Sequence, residues 1–182
     1  GEAALMKSPG GKFLPEDPID GRETFANWLT APENPYFAKA IVNRLWKSLM
    51  GRGLVEPVDD FRSTNPATHP ALLNQLADDF MKHGCDIRHT LKVIAMSSTY
   101  ARSSIPILEN KTDDRFYSHR LRKPLEPEVL ADAISDVLDV IAQYGDEAPG
   151  TRAVELHDGA IQSDALDMLG RCNRTNSCEG AP

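Results

Sequence analysis

The sequence predicts a mainly α-helical protein, an irregular array of about five to six helices joined by long loops. Three observations carry this. Apolar residues recur three and four apart in several separate stretches, capping and stop residues bracket those stretches, and no long apolar–polar alternation or internal repeat is present.

Residues 1–21 are rich in Gly, Pro and charge and are expected to form an extended arm or linker. A single helical domain is expected over residues 22–182. In "GRETFANWLT" the spacing of Phe25, Trp28 and Leu29 predicts a short first helix. Asn34 is placed to cap the second, with Pro35 in its first turn, where a missing N–H costs little. Phe37, Ile41, Leu45 and Leu49 give that helix an apolar stripe, and Gly51 supplies a left-handed stop.

A third helix is predicted from Pro70 to His83, with Leu73, Leu76, Ala77 and Phe80 inward and Gly84 closing it. Asp86 then caps a fourth that carries Ile87, Leu91, Ile94 and Ala95 and runs to about Arg102. "PLEPEVLADAISDVLDVIAQYG" is expected to be the longest helix, with Leu130, Ala133, Ile134, Val137 and Ile141 as its buried stripe. "TRAVEL" suggests a brief extended segment, and a short helix is expected near 162–169. The chain opens without Met and stops at "CEGAP", so it is expected to be a fragment truncated at its C-terminal end.

Composition narrows the function classes. At 182 residues, 41% apolar and 26% charged, the chain suits a folded domain with a substantial core. A net charge of −7 and a pI near 5.2 argue against a nucleic-acid surface, which needs a basic stripe. No stretch approaches the ~20 apolar residues of a membrane helix, so this segment is not expected to insert in a membrane. Residues 1–21 also lack the apolar run of a signal peptide.

The most suggestive polar cluster interrupts the second helix. Asn43, Arg44 and Trp46 lie among apolar residues, and Arg44, Arg52 and Arg62 bracket the adjacent Asp59 and Asp60. If the loop folds back on the helix, guanidinium–carboxylate forks form and Asn43 satisfies loop backbone groups. Bracing is preferred over a hard cation, because Arg62 stands among the oxygen ligands that "DDFRSTN" offers. On that reading Arg44→Ala or Asp60→Ala lowers the melting temperature by several degrees.

Elsewhere the chemistry is thinner. His83, Cys85 and His89, with Asp86 between, have zinc-ligand chemistry, but a helix end and a helix start separate them, so no metal ligand is assigned. His69 flanks the third helix; His119 and His157 lack an obvious partner. "SSTYARSS" gathers hydroxyls around Tyr100 without a nucleophile elbow or a spaced histidine. Glu128, Asp132 and Asp136 form an acidic ridge, solvated, or paired with Arg side chains such as Arg120 and Arg122, or with a partner. Cys172 and Cys178 are candidates for a small disulfide loop, or else thiols beside Arg171 and Arg174; they fit neither CxxC chemistry nor covalent haem attachment. No cofactor is expected within this chain.

Taken together, several stretches resemble the planctomycete-specific domain family of unknown function. The words are Asn34-Pro35, Val42 to Trp46, Gly51 to Val55, Asp59 to Phe61, His69 to Leu73 and Ser97 to Tyr100, followed by "LEPEVLADAI", "PGTRAVEL" and "LDMLGRCNRTNSCE". They run from about residue 21 to the end; Lys39 stands where the family tends to have Arg, which weakens any fixed ion pair there. The resemblance implies the C-terminal part of a large exported protein, extracytoplasmic, with a cytochrome-c-like domain, and hence any haem, elsewhere in the parent. It implies no activity or catalytic residue. Two functions follow: a helical interaction or scaffold domain contacting upstream domains of its parent or another protein, or a hydrolase or metal-dependent enzyme acting on an extracytoplasmic substrate such as a polysaccharide.

Overall fold

A computed structural model describes Lys7, residues 21–157 and residues 161–171. Among these the fold is mainly α, with no strand element. It comprises α1 (Gly21–Thr30), α2 (Phe37–Met50), α3 (Pro70–Lys82), α4 (Ile87–Ala95), α5 (Pro127–Leu138) and α6 (Asp164–Met168), with 3-10 turns at Leu108–Asn110 and Ala153–Glu155. The expected arm lies outside the described residues except for Lys7 and Gly21. Where the sequence suggests one domain, the chain gathers into two compact units, the first ending at Arg122 and the second beginning at Lys123.

In the first unit, α2 packs against α3 and α4. Asn34 performs its expected capping: its Oδ1 accepts the N–H groups of Tyr36 and Phe37, both at 2.9 Å. The helix proper starts at Phe37 and ends at left-handed Gly51, whose N–H reaches the Lys47 carbonyl. Its deepest face is Ala38, Val42, Trp46 and Met50, one residue along from the expected stripe. Phe37, Ile41, Leu45 and Leu49 pack partly buried beside it. The shift arises because α2 is covered on two sides, so its apolar face is wider than one row.

On α3 the predicted Leu73, Leu76, Ala77 and Phe80 are all buried. The helix ends in a Schellman arrangement: Cys85 N–H bonds the Phe80 carbonyl, Gly84 N–H bonds the Met81 carbonyl, and Gly84 takes φ +66°. Asp86 caps α4 by accepting the His89 N–H at 3.1 Å. That helix stops at Ala95 rather than Arg102, because Ser97 turns the chain: its hydroxyl donates to the Ile94 carbonyl and accepts the Tyr100 N–H.

The second unit corrects the sequence reading most. Helix α5 spans 12 residues, shorter than the 14 of α2, and its buried residues are Ala131 and Asp132. Of the expected stripe only Leu130 is half-buried; the rest faces outward, with Val137 85% and Ile141 76% exposed. Asp139 ends the helix at φ +52°, a conformation that a short polar side chain tolerates. The turn lets Tyr144 join Ala131, Ala153 and Leu166 in a small core. "TRAVEL" forms a 3-10 turn rather than an extended segment, and α6 is capped by Ser163 as its position suggests.

Candidate functional site

Asn43 is the centre of the polar cluster and is fully buried. Its Nδ2 donates to the carbonyls of Val55 (2.9 Å) and Val58 (2.8 Å), and its Oδ1 accepts the Val55 N–H at 3.0 Å. One side chain on α2 thus replaces three solvent contacts of the following loop, as buried backbone polar groups require. The loop fits tightly around it. A Cβ on Gly53 would lie 2.3 Å from the Val55 carbonyl oxygen and 3.0 Å from Asn43 Nδ2, so only glycine is accommodated.

Glu56 closes the near side, accepting the Gly53 N–H at 2.9 Å and pairing with Lys47 at 3.4 Å. Tyr117, buried and at φ +59°, reaches in from the far end of the unit. Its hydroxyl donates toward the Gly53 carbonyl (2.8 Å) and the Arg52 carbonyl (3.1 Å), and its ring meets Trp46 edge-on at 5.4 Å. Burial pushes the Tyr117 phenol up to about 12.

The two aspartates are each held by one arginine. Arg44 forks onto Asp59 through Nε (2.9 Å) and Nη2 (2.6 Å), and Arg62 forks onto Asp60 through Nε (2.6 Å) and Nη2 (2.5 Å). The Arg62 side-chain hydrogen bond holds the Asp60 carboxyl below its ordinary range. Both forks lie at the surface; Arg44 and Asp59 side chains are 64% and 56% exposed. Arg52 takes no part in bracketing these carboxylates: its carbonyl receives Tyr117, and its buried Nε has no hydrogen-bond partner. The Trp46 indole nitrogen is likewise buried without one.

Other candidates resolve individually. Arg120 donates to the Tyr100 carbonyl at 2.8 Å and lies 3.9 Å over its ring. Ser97 spends its hydroxyl in the helix-terminal turn. His69 meets Phe116 edge-on and Tyr117 at a tilt; His119 bonds the Arg120 carbonyl; His157 is exposed. Within the second unit, buried Asp132 accepts the N–H groups of Ala153 (2.7 Å) and Val154 (3.3 Å), and Arg152 pairs with both Asp132 and Asp136. Of the acidic ridge, Asp132 and Asp136 therefore pair with Arg152, a residue the sequence reading did not single out. Cys172, Cys178 and Arg174 lie outside the described residues.

One convergence was legible only in part. Asp79 comes together with His83 and His89, and one donor atom from each lies within 4.8 Å of the others. Cys85, grouped with these histidines from the sequence, turns its thiol toward Met81 Sδ at 3.8 Å, and Asp86 is committed to its cap.

A sequence model of one protein family, described as PSD1, protein of unknown function (DUF1553), matches residues 21–159. The chain belongs to that family. No curated protein and no solved structure matches it. The PSD1 match takes in the whole Asn43 cluster and continues through α5 and the 3-10 turn at Ala153–Glu155. No helix among the described residues is long and apolar enough to cross a membrane.

Proposed function

We propose that this PSD1 domain is a helical interaction or scaffold domain within a larger, exported, planctomycete-type protein. It works outside the cytoplasm, and any haem belongs to another part of the parent. The observation that carries this reading is the outward apolar face that begins on α5. Ile134, Val137, Leu138, Val140 and Ile141 are between 43% and 85% exposed, and a shallow apolar groove runs between Ala133, Ile134, Val137 and Leu138. Contiguous apolar surface of this kind marks contact sites. Its partner is an upstream domain of the parent protein or a second protein.

The competing reading, a hydrolase or metal-dependent enzyme acting on an extracytoplasmic substrate such as a polysaccharide, needs free polar groups, for which Asp59-Asp60 and the hydroxyls around Tyr100 are the candidates. Those groups serve the loop and its surroundings: each carboxylate is forked to an arginine and Tyr100 lies beneath Arg120.

The test is sedimentation of this chain with the separately produced remainder of its parent, comparing wild type with Val137→Glu/Ile141→Glu. Association by wild type, weakened at least about tenfold by charges on the exposed face with melting unchanged, is the expected result. No association, or association indifferent to the two glutamates, overturns the reading.

A further inference from the structure

Two imidazoles and a carboxylate meet at the corner between α3 and α4, away from the Asn43 clamp. We propose that Asp79, His83 and His89 form a binding site for a divalent cation of the zinc class.

The placement is built rather than incidental. Asp79 and His83 are four residues apart on the last turn of α3, hence on one face. The Schellman turn at Gly84-Cys85 sets where the chain leaves, and the Asp86 cap fixes His89 in the first turn of α4. The carboxylate then bridges the two rings. Its Oδ1 is 3.3 Å from His83 Nδ1 and its Oδ2 is 2.8 Å from His89 Nε2, while the rings stack at 3.8 Å with an interplanar angle of 21°. Two ligands bound to tetrahedral zinc at ~2.0–2.1 Å stand roughly 3.3–3.4 Å apart. The two carboxylate–imidazole separations are near that, all three donors lie within 4.8 Å of one another, and the stacked rings rotate on loading to bring both lone pairs onto one ion.

The donor set narrows the ion to the borderline first-row divalent metals, of which zinc is the probe. Calcium and magnesium take oxygen ligands, and two imidazoles are poor substitutes. Soft thiophilic ions favour thiolate, which Cys85 does not bring to the cluster. Two histidines with one carboxylate are the donors of three-ligand zinc sites, in which the fourth position is open to water. The ligand side chains are 30% to 48% exposed, so water can reach that position.

Loading displaces two hydrogen bonds: His89 Nε2 to Asp79, and His83 Nδ1 to the Asp79 carbonyl at 2.9 Å. Each neutral ring then carries its proton on the opposite nitrogen, leaving a lone pair for the ion. The bound ion would link α3 to α4 directly, whatever the domain's partner is.

The experiment uses the full chain, stripped with chelator and desalted, with zinc as the probe. Calorimetric titration and melting curves are recorded for wild type, His83→Ala, Asp79→Asn and Cys85→Ser, with circular dichroism confirming that each variant is folded. His83 is exposed and Asp79→Asn is isosteric, so at least one is expected to keep the fold. The expected result is one zinc per chain at low micromolar concentration, raising the melting temperature. Affinity should fall at least about tenfold in the folded His83 and Asp79 variants, since losing even a group that only orients a metal ligand costs that much, and stay unchanged in Cys85→Ser. Absence of stoichiometric binding, undiminished binding in either folded ligand variant, or loss in Cys85→Ser overturns the assignment.

Discussion

Replacing Asn43 by alanine removes the Val55 N–H's acceptor and the donor shared by the Val55 and Val58 carbonyls, all at a position with no solvent exposure. A buried group left unpaired costs about 1–3 kcal/mol, and a carbonyl at the edge of the loop recovers part of that by finding water. Taking ~1 kcal/mol for each of the three contacts, with a small addition for the cavity, the loss is about 3–4 kcal/mol. For a chain of this size ~1 kcal/mol moves the melting temperature by roughly 3 °C, so Asn43→Ala should melt ~10 °C below wild type. Arg44→Ala removes a fork whose members are more than half exposed, worth about 0–1 kcal/mol and hence at most ~3 °C, less than the several degrees the sequence suggests because the fork lies at the surface. The comparison by calorimetry is decisive because the two residues are neighbours on one helix. If Asn43→Ala melts within ~2 °C of wild type, or Arg44→Ala is the more damaging, the bracing account of this cluster is wrong.

Gly53→Ala should lose about 2 kcal/mol or more, because its Cβ meets backbone at 2.3 Å, read as a lower melting temperature; unaltered melting would contradict the packing described. Asp132→Ala should loosen the 3-10 turn at Ala153–Glu155 by about 2–3 kcal/mol, read as faster amide exchange at Ala153 and Val154 with the first unit unaffected. Asp113 sets a pH dependence. The Ser118 hydroxyl beside it, though without a hydrogen bond of good geometry, followed by the backbone N–H groups of Phe116, Ser118 and Arg115, holds its carboxyl well below the usual carboxylate range. A depressed folded value gives stability that is present above the unfolded pKa of about 4 and lost as pH falls toward the folded value. Asp113→Asn should therefore flatten the acid limb of the melting temperature below pH ~4, and an unchanged limb would count against it.

Local signals carried most of the first unit. The Asn34 and Asp86 caps, the glycine stops and the inward face of α3 are properties of a few adjacent residues, and they are where the periodicity places them. The second unit was harder to read. α5 has apolar residues on more than one face, and periodicity alone does not say which face is covered. The answer is set by Asp132, a charged residue that is buried because its two oxygens are filled by the backbone N–H groups at Ala153 and Val154, more than twenty positions along the chain. The Asp79–His83–His89 meeting was half legible: the histidines stood out, but the helix end between them argued against convergence. The Schellman turn reverses the chain so tightly that the separation in sequence vanishes.

The family words also acquire a physical meaning. Val-Asn-Arg-x-Trp supplies the clamp, the guanidinium and the indole; Gly-Arg-Gly-Leu-Val supplies the loop that Asn43 holds, including the glycine with no room for a side chain; Asp-Asp-Phe supplies the carboxylates. Each word is one face of the same joint between α2 and the loop after it. In this chain the polar residues of that joint are expected to answer to melting curves rather than to substrates. Chemistry or recognition in this PSD1 chain is therefore better sought where polar or apolar groups are not consumed by the joint. Among the described residues, such places include the histidine corner of α3 and α4 and the outward face of α5. Loss of partner binding with zinc affinity intact, or the reverse, would separate them.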